Sequence, residues 1–281
     1  MQRLSEFKEQ CGYITVVQNN ATTDYLELAY LQARSIKRTQ VTKSYAVMVD
    51  ETTKALITDR HLAVFDYVLD IPYGDAASAD DWKLANDWKV WCVTPFKETV
   101  KLDSDILFTR DVSHWWDLMR TKEVCISTNI RDYKGDVSNA RAYRRLFDEN
   151  NLIDAYNGFT YFRYSRTSTE FYQMVKNIFE NWPVFRDQVL KNCRHDKPAT
   201  DEVYAIAAKL IGEERCYIPN SGIGFTHMKG AVNGMAVNDV WADKLYHQLD
   251  DTKLTAGFYR QLYPFHIFDK DVAMELSKQY D

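Results

Sequence analysis

Two carboxylates separated by a single residue, Asp103-Ser104-Asp105, are the part of the sequence best suited to chemistry. They follow a short apolar run at 99–102 and precede another at 106–108. Burying carboxylates between hydrophobic stretches is costly unless a cation or hydrogen-bond donors satisfy them. Paired carboxylates can hold Mg²⁺ or Mn²⁺ through their oxygens, and such an ion can bind a diphosphate. An isolated D-x-D is more often a solvated turn, so the motif needs support from surrounding elements.

Strand and helix patterns alternate along the chain. Runs rich in β-branched and aromatic residues predict strands at 13–17, 45–49, 67–71, 99–102, 123–127 and 159–162. Apolar spacing predicts a helix opened by Asp24 and further helices at 59–65 and 82–93. This alternation predicts an α/β fold with a mostly parallel sheet. Ligands bind beyond the carboxyl ends of such strands, where Asp103 and Asp105 lie.

Composition predicts one globular domain with decorations. The chain has 281 residues, 46% hydrophobic and 27% charged, and a net charge of −5. That charge argues against a general DNA-coating protein but leaves room for a local basic patch. Five scattered cysteines without metal-site spacing predict reduced core residues. Without an apolar run near the roughly 20 residues that span a bilayer, or a signal-peptide pattern, we expect a cytoplasmic protein with no membrane partner.

The order of elements from Tyr13 to Gly230 resembles the family 8 glycosyltransferases, such as glycogenin and bacterial galactosyltransferases, which have the GT-A fold. The segment from Lys101 to Leu107 is similar to that family's strand, D-x-D and apolar pair. The resemblance implies a retaining transferase that uses a UDP-sugar and Mn²⁺ or Mg²⁺. It implies that Asp103 and Asp105 bind the metal and that Asp103 also approaches the donor ribose. We expect a GT-A domain at 1–234 and a helical C-terminal extension at 235–281.

Further pieces of the family pattern occur in the expected order. The resemblance assigns nucleotide contacts to Val16, Gln18, Asn19, Tyr25, Asp50, Lys89, Lys229 and Gly230. It implies catalytic or sugar-contacting roles for Asn157, Asp201 and Glu202, and makes His227 the third metal ligand. Each piece alone also fits a turn, a helix cap, a surface charge or a structural histidine. The family's Lys-Pro-Trp is absent after Gly230, where Lys229 is the candidate replacement, and Glu202 stands where glutamine is common.

Two basic segments bear on the acceptor. One contains Arg131, Lys134, Arg141, Arg144 and Arg145 with Tyr133 and Tyr143, and the other contains Lys191, Arg194, His195 and Lys197. They fit either a solvated surface or a phosphate-contacting one. The compact chain resembles phage glycosyltransferases that add glucose or arabinose to 5-hydroxymethylcytosine in DNA, which implies an exposed or flipped base as acceptor. A saccharide, lipid-linked sugar or protein acceptor, and a non-catalytic nucleotide-sugar binding protein, remain the alternatives.

Overall fold

The computed structural model describes residues 1–80, 83–137, 144–219, 221–227, 247–250 and 253–267. Its strands are β1 (Glu9–Val17), β2 (Tyr45–Val49), β3 (Tyr67–Asp70), β4 (Phe96–Leu102), β5 (Ile106–Leu107), β6 (Val124–Ser127), β7 (Asn129–Arg131), β8 (Tyr156–Arg163), β9 (Gly224–His227), β10 (His247–Asp250), β11 (Lys253–Ala256), β12 (Tyr259–Arg260) and β13 (Phe265–His266).

The helices are α1 (Tyr25–Thr39), α2 (Glu51–Lys54), α3 (Asp59–Leu62), α4 (Val90–Val93), α5 (Trp115–Met119), α6 (Arg145–Glu149), α7 (Arg166–Glu180), α8 (Trp182–Val184) and α9 (Thr200–Ile211). Short 3-10 helices at Asp87–Lys89 and Glu213–Arg215 and a π-helical turn at Phe185–Val189 complete the described helical elements. None of the helices in the described ranges is long and apolar enough to cross a bilayer.

The central sheet has the strand order β3-β2-β1-β4-β8-β6. β3, β2, β1 and β4 are parallel to one another, whereas β8 is antiparallel to both β4 and β6. The predicted mostly parallel α/β sheet is therefore confirmed. Because β8 runs the other way, its first residues lie at the edge where the parallel strands end, next to the D-x-D segment.

Helices pack against both faces of this sheet. On one face, Ile14 and Met48 share a core cluster with residues of α7 and α9. On the other, Tyr13 and Val47 share a cluster with residues of α1 and α5. Neighbouring residues of a strand fall in opposite clusters because successive side chains point to opposite faces of the sheet. All five residues of β2 are buried, as expected for a sheet covered on both faces.

A second sheet, ordered β5-β13-β9-β7, brings distant parts of the chain to the D-x-D segment. β13 pairs antiparallel with β5, which places His266 opposite Ile106. It also pairs in parallel with β9, which places His266 opposite His227. β13 thus lies between the strand that follows Asp105 and the strand that contains His227.

The prediction of a helical C-terminal extension is wrong for the described part of 235–281. Residues 247–250, 253–256, 259–260 and 265–266 are strands, and β10-β11-β12 form a third sheet. Ala256 pairs with Tyr259 across a two-residue connection in which Gly257 has a φ of +59°. Glycine is favoured in such hairpin turns because it adopts positive φ without steric cost. The predicted boundary at 234/235 lies outside the described residues.

Candidate active site

Asp103, Asp105 and His266 form a compact group of metal-ligating side chains. Their ligand atoms lie within 4.8 Å of one another. His266 Nε2 is 3.2 Å from Asp105 Oδ1 and 3.7 Å from Asp103 Oδ2. The side chains of Asp105 and His266 are only 8% and 10% exposed, whereas that of Asp103 is 39% exposed. Two carboxylates and an imidazole fit a divalent cation such as Mn²⁺, with Asp103 on the open side.

The third member of this group differs from the residue that the sequence predicted. His227, the predicted ligand, lies beside the group, with its ring stacked on that of His266 at a centroid distance of 4.5 Å and an angle of 10°. The difference follows from the strand order, because β13 occupies the position next to β5 and leaves β9 one strand further away. Among the described residues, His266 therefore replaces His227 in the cluster with Asp103 and Asp105.

The backbone of the D-x-D segment is held from several sides. Gln32, on α1 and 1% exposed, donates from Nε2 to the carbonyl oxygens of Asp103 at 2.6 Å and Ile106 at 2.9 Å. The Tyr45 hydroxyl donates to Gln32 Oε1 at 2.6 Å and fixes the amide orientation. Ile267 N donates to the Asp105 carbonyl at 2.9 Å. The segment is thus preorganised by side chains from α1 and β2 and by the chain beyond β13.

Gly158 gives Asp103 the space it occupies. The Asp103 amide donates to the Gly158 carbonyl at 2.9 Å, which extends the β4–β8 pairing by one residue. A Cβ on Gly158 would lie 3.0 Å from Asp103 Oδ2 and 3.3 Å from Phe225 Cζ. The predicted Asn157-Gly158 element is therefore placed against the first aspartate of the motif.

Lys101 connects the motif to Asp87, a buried carboxylate that is not among the residues predicted from the sequence. Its Nζ lies 2.6 Å from Asp87 Oδ1 and 3.2 Å from Asp103 Oδ1. The Tyr204 hydroxyl donates to Asp87 Oδ2 at 2.5 Å. Lys101 is 1% exposed and Asp87 is 5% exposed. Side chains two positions apart in a strand point to the same face, so the spacing of Lys101 and Asp103 indicates their contact from sequence alone. The contact between Lys101 and Asp87 is not indicated in this way.

The charges of this network favour an ionised Asp103. Burial by itself would raise the pKa of Asp103, but Lys101 and His266 outweigh it and hold that pKa well below its ordinary value. Burial would likewise lower the pKa of Lys101, yet Asp87 and Asp103 raise it above its ordinary value. At neutral pH Lys101 is therefore an ammonium and Asp103 is a carboxylate that can bind a cation.

A cleft opens over this network at the carboxyl edge of the sheet. It is lined by Val16, Gln18, Tyr25, Lys83, Leu84, Asp87, Lys101, Leu102, Asp103, Ser104 and Asp105. The structure thus brings three of the predicted nucleotide-contacting residues together with the D-x-D motif. Asn19 and Asp50 line a neighbouring cleft that shares Lys83 with the first. Gln18 links the two clefts, because its Nε2 donates to Asp50 Oδ2 at 3.1 Å.

Lys89 and Glu202, two of the predicted site residues, do not line the cleft over the D-x-D motif. Lys89 is 2% exposed, donates to the Gly74 carbonyl at 2.5 Å and lines a different pocket with Tyr73 and Trp88. Glu202 accepts a bond from the Ala199 amide at 3.3 Å and lies 2.8 Å from His195 Nδ1. These contacts make Glu202 a cap at the start of α9. Lys229 and Gly230 lie outside the described residues.

Asn157 and Asp201 form a second polar unit behind the cluster. The backbone N–H of Asn157 donates to Asp201 Oδ1 at 2.8 Å. The side-chain nitrogen Nδ2 of Asn157 lies 3.4 Å from Asp87 Oδ2. Arg144 donates to Asp201 Oδ2 at 3.0 Å. Burial raises the pKa of Asp201, although Arg144 opposes the rise. The pair is connected to Lys101 through Asp87 but does not itself line the cleft over the motif.

The basic residues considered for a phosphate-contacting surface have different environments. Arg144 is 2% exposed and donates to Asp154 Oδ1, Asp201 Oδ2 and the Ala155 carbonyl, so the prediction that it lies on such a surface is wrong. Arg131 lies over the ring of Tyr263 at 4.3 Å. Exposed positions are found for Lys134, Arg145, Lys191, Arg194, His195 and Lys197. Arg141 and Tyr143 lie outside the described residues.

Comparison with known proteins identifies the fold. No family model and no curated protein matches the sequence. The structure is similar to an active-site mutant of LgtC, with a TM-score of 0.51, 11% identity and 95% of each chain covered. LgtC, a galactosyltransferase, in complex with donor and acceptor sugar analogs gives a TM-score of 0.45 at 11% identity over 73% of this chain and 72% of that one. Mouse xyloside xylosyltransferase 1 gives 0.45 at 7% identity over 76% and 84%. The chain therefore has the GT-A glycosyltransferase fold, as predicted.

Proposed function

We propose that the chain is a glycosyltransferase that moves a sugar from a UDP-sugar to a hydroxyl acceptor with the help of Mn²⁺ or Mg²⁺. The observation that carries the proposal is the group of Asp103, Asp105 and His266 at the carboxyl edge of the parallel sheet, beside the cleft lined by Gln18 and Tyr25. A nucleotide in that cleft would place its diphosphate at the two aspartates. The GT-A fold supports this arrangement.

In this reaction the residues of the chain bind, orient and hold charge. A bound divalent cation would supply charge stabilisation for the departing diphosphate. Asp103 and Asp105 would hold that cation together with His266, while Gln32 keeps their backbone in place. Asn157 and Asp201 are proposed to lie on the side of the donor sugar, as the family resemblance implies. We propose a retaining outcome on the same ground.

For the acceptor we propose a modified base in DNA, of the 5-hydroxymethylcytosine type, accepting glucose or arabinose. One feature supports it: a basic side chain and several aromatic rings lie together near the end of β7 and the segment that leads into β13. Arg131, at the end of β7, lies over Tyr263, and the ring of Tyr133 contacts that of Tyr259 at 5.4 Å. Arginine and aromatic rings suit phosphates and exposed bases. A saccharide, lipid-linked sugar or protein acceptor is the alternative, and it would not require phosphate contacts.

Transfer chemistry is tested by metal-stimulated turnover of the donor. Wild type and Asp105→Asn are incubated with UDP-glucose or UDP-arabinose and Mn²⁺, with and without a chelator, and released UDP is measured. We expect the wild type to release UDP only with the metal and the variant to lose nearly all of this activity. Tight UDP-sugar binding with no UDP release under any metal, with DNA or a saccharide as acceptor, would favour a non-catalytic binding protein.

The acceptor is tested separately with DNA that contains hydroxymethylcytosine and with plain DNA. Mass spectrometry of the nucleosides should reveal a sugar only on the modified base. DNA binding should weaken steeply as salt rises, because phosphate contacts release counterions. Binding that is unchanged by salt, with sugar transferred to a saccharide instead, would contradict the DNA proposal while leaving glycosyl transfer intact.

A further inference from the structure

We propose that Lys101 is the lysine that binds the diphosphate of the donor in this chain, an inference that rests on the proposed function. Lys101 forms part of the cleft wall together with Asp103 and Asp105. Its ammonium lies 3.2 Å from Asp103 Oδ1, so it is next to the group that would hold the cation. An anion bound by that cation is therefore also close to Lys101.

The partners of Lys101 orient its ammonium and leave one of its N–H donors unused. An ammonium has three N–H donors. Among the described residues, Asp87 Oδ1 at 2.6 Å and Asp103 Oδ1 at 3.2 Å accept from Lys101. Asp87 is itself fixed by the Tyr204 hydroxyl at 2.5 Å. One donor is thus left for a ligand, and the side chain is held at the floor of the cleft before the ligand arrives.

Burial makes this charge effective. The side chain of Lys101 is 2% exposed, and that of Asp87 is 7% exposed. Water therefore screens the ammonium weakly, and its attraction for a diphosphate is stronger than that of a surface lysine at the same distance. The two carboxylates of the motif repel an approaching diphosphate, and a fixed positive charge beside Asp103 reduces that repulsion.

The other candidate lysines are less well placed. Lys89 donates to the Gly74 carbonyl and lines a separate pocket. Lys83 lines the cleft, but its Nζ donates to the carbonyls of Ala77 at 2.9 Å and Ser78 at 3.0 Å, where it closes a turn. Lys229 lies outside the described residues. Lys101 is the buried lysine of the described chain that contacts the D-x-D motif directly.

The test compares UDP with UMP, which differ by one phosphate, in the presence of Mn²⁺ by calorimetry. Lys101→Met should weaken UDP binding by roughly ten- to hundredfold, the range expected for a hydrogen bond to a charged group, and UMP binding by less than about threefold. Lys89→Met, at the other lysine that is buried among the described residues, should change the UDP affinity by less than about threefold. Equal losses for UDP and UMP, no loss for UDP, or a larger effect at Lys89 would each overturn the inference.

A double variant separates binding from folding. Lys101→Met alone leaves Asp87 as a buried carboxylate without its cation, which can destabilise the protein. Lys101→Met with Asp87→Asn removes the charge as well, and circular dichroism should show that it folds. The inference requires this variant to keep the selective loss of UDP over UMP, whereas recovery of UDP binding would overturn it. A wild type that binds no UDP with any metal would overturn the proposed function and this inference together, whereas normal UDP binding by both Lys101 variants would overturn this inference alone.

Discussion

His266 Nε2 lies 3.2 Å from Asp105 Oδ1, although more than half the length of the chain separates the two residues in sequence. The contact exists because β13 pairs with β5, whose first residue follows Asp105 directly. The backbone bond from Ile267 N to the Asp105 carbonyl fixes the same register at 2.9 Å. A histidine from the end of the described chain is thereby brought to the D-x-D motif.

Replacement of His266 should therefore weaken Mn²⁺ binding more than replacement of His227. Loss of a metal ligand should lower the Mn²⁺ affinity by at least the roughly ten- to hundredfold that is lost when a residue hydrogen-bonded to a ligand is replaced. We expect the loss of Mn²⁺ affinity to exceed that range in His266→Ala and to fall within or below it in His227→Ala, because His227 lies beside the cluster with its ring stacked on that of His266. Mn²⁺ titrations followed by electron paramagnetic resonance would measure both, and the reverse order would restore His227 as the ligand.

Gln32 should be required for the metal site as well as for stability. Gln32→Leu removes the side-chain donor to the Ile106 carbonyl and leaves the Asp103 carbonyl with only the Ile106 amide at 3.3 Å, and an unsatisfied buried group costs about 1–3 kcal/mol. Gln40→Leu is the matched control, because Gln40 is equally buried at the end of α1 but bonds Arg110 and Val112. Urea unfolding should show that the free energy of unfolding falls by a similar amount in both variants, whereas the Mn²⁺ affinity should fall only in Gln32→Leu. A Mn²⁺ affinity reduced equally in both, or in neither, would contradict a positioning role for Gln32.

Gly158→Ala should disturb Asp103 without unfolding the protein. The added methyl would sit 3.0 Å from Asp103 Oδ2 and force that carboxylate to move. We expect Mn²⁺ binding to weaken by about tenfold or more while the free energy of unfolding falls by about 1–3 kcal/mol, as in overpacked sites. Calorimetry and urea unfolding measure the two effects. Unchanged Mn²⁺ affinity would show that the Asp103 carboxylate can move without consequence for the cation.

Replacement of Arg144 should destabilise the protein much more than replacement of its neighbour Arg145, because Arg144 is buried and Arg145 is exposed. Arg144→Met removes a buried guanidinium that bonds Asp154 and Asp201, and breaking such a pair costs about 3–5 kcal/mol when it is fully buried. Because both carboxylates are partly exposed, we expect about 2–3 kcal/mol. Arg145→Ala, at a largely exposed residue, should change stability by less than about 0.5 kcal/mol. Urea denaturation measures the free energy of unfolding of both variants. Equal losses in the two would contradict a buried, structural role for Arg144.

The sequence contained the information for the sheet and the D-x-D motif but not for the partners of the motif. Asp103 and Asp105 could be placed because a strand pattern precedes them, and β2 was predicted at its observed bounds. His266 could not, because its position depends on pairing between strands far apart in sequence, which local pattern does not encode. The sequence predicts a surface position for Arg144 because charge predicts exposure unless partners are known, and the structure shows that its partners are Asp154 and Asp201.

The most direct test of the account is a crystal structure with Mn²⁺ and UDP, in which the anomalous signal locates the metal. We predict one Mn²⁺ bound by Asp103, Asp105 and His266, with the diphosphate between it and Lys101 and the nucleoside beside Gln18 and Tyr25. Mn²⁺ bound away from these three side chains, or UDP outside the cleft, would contradict the account.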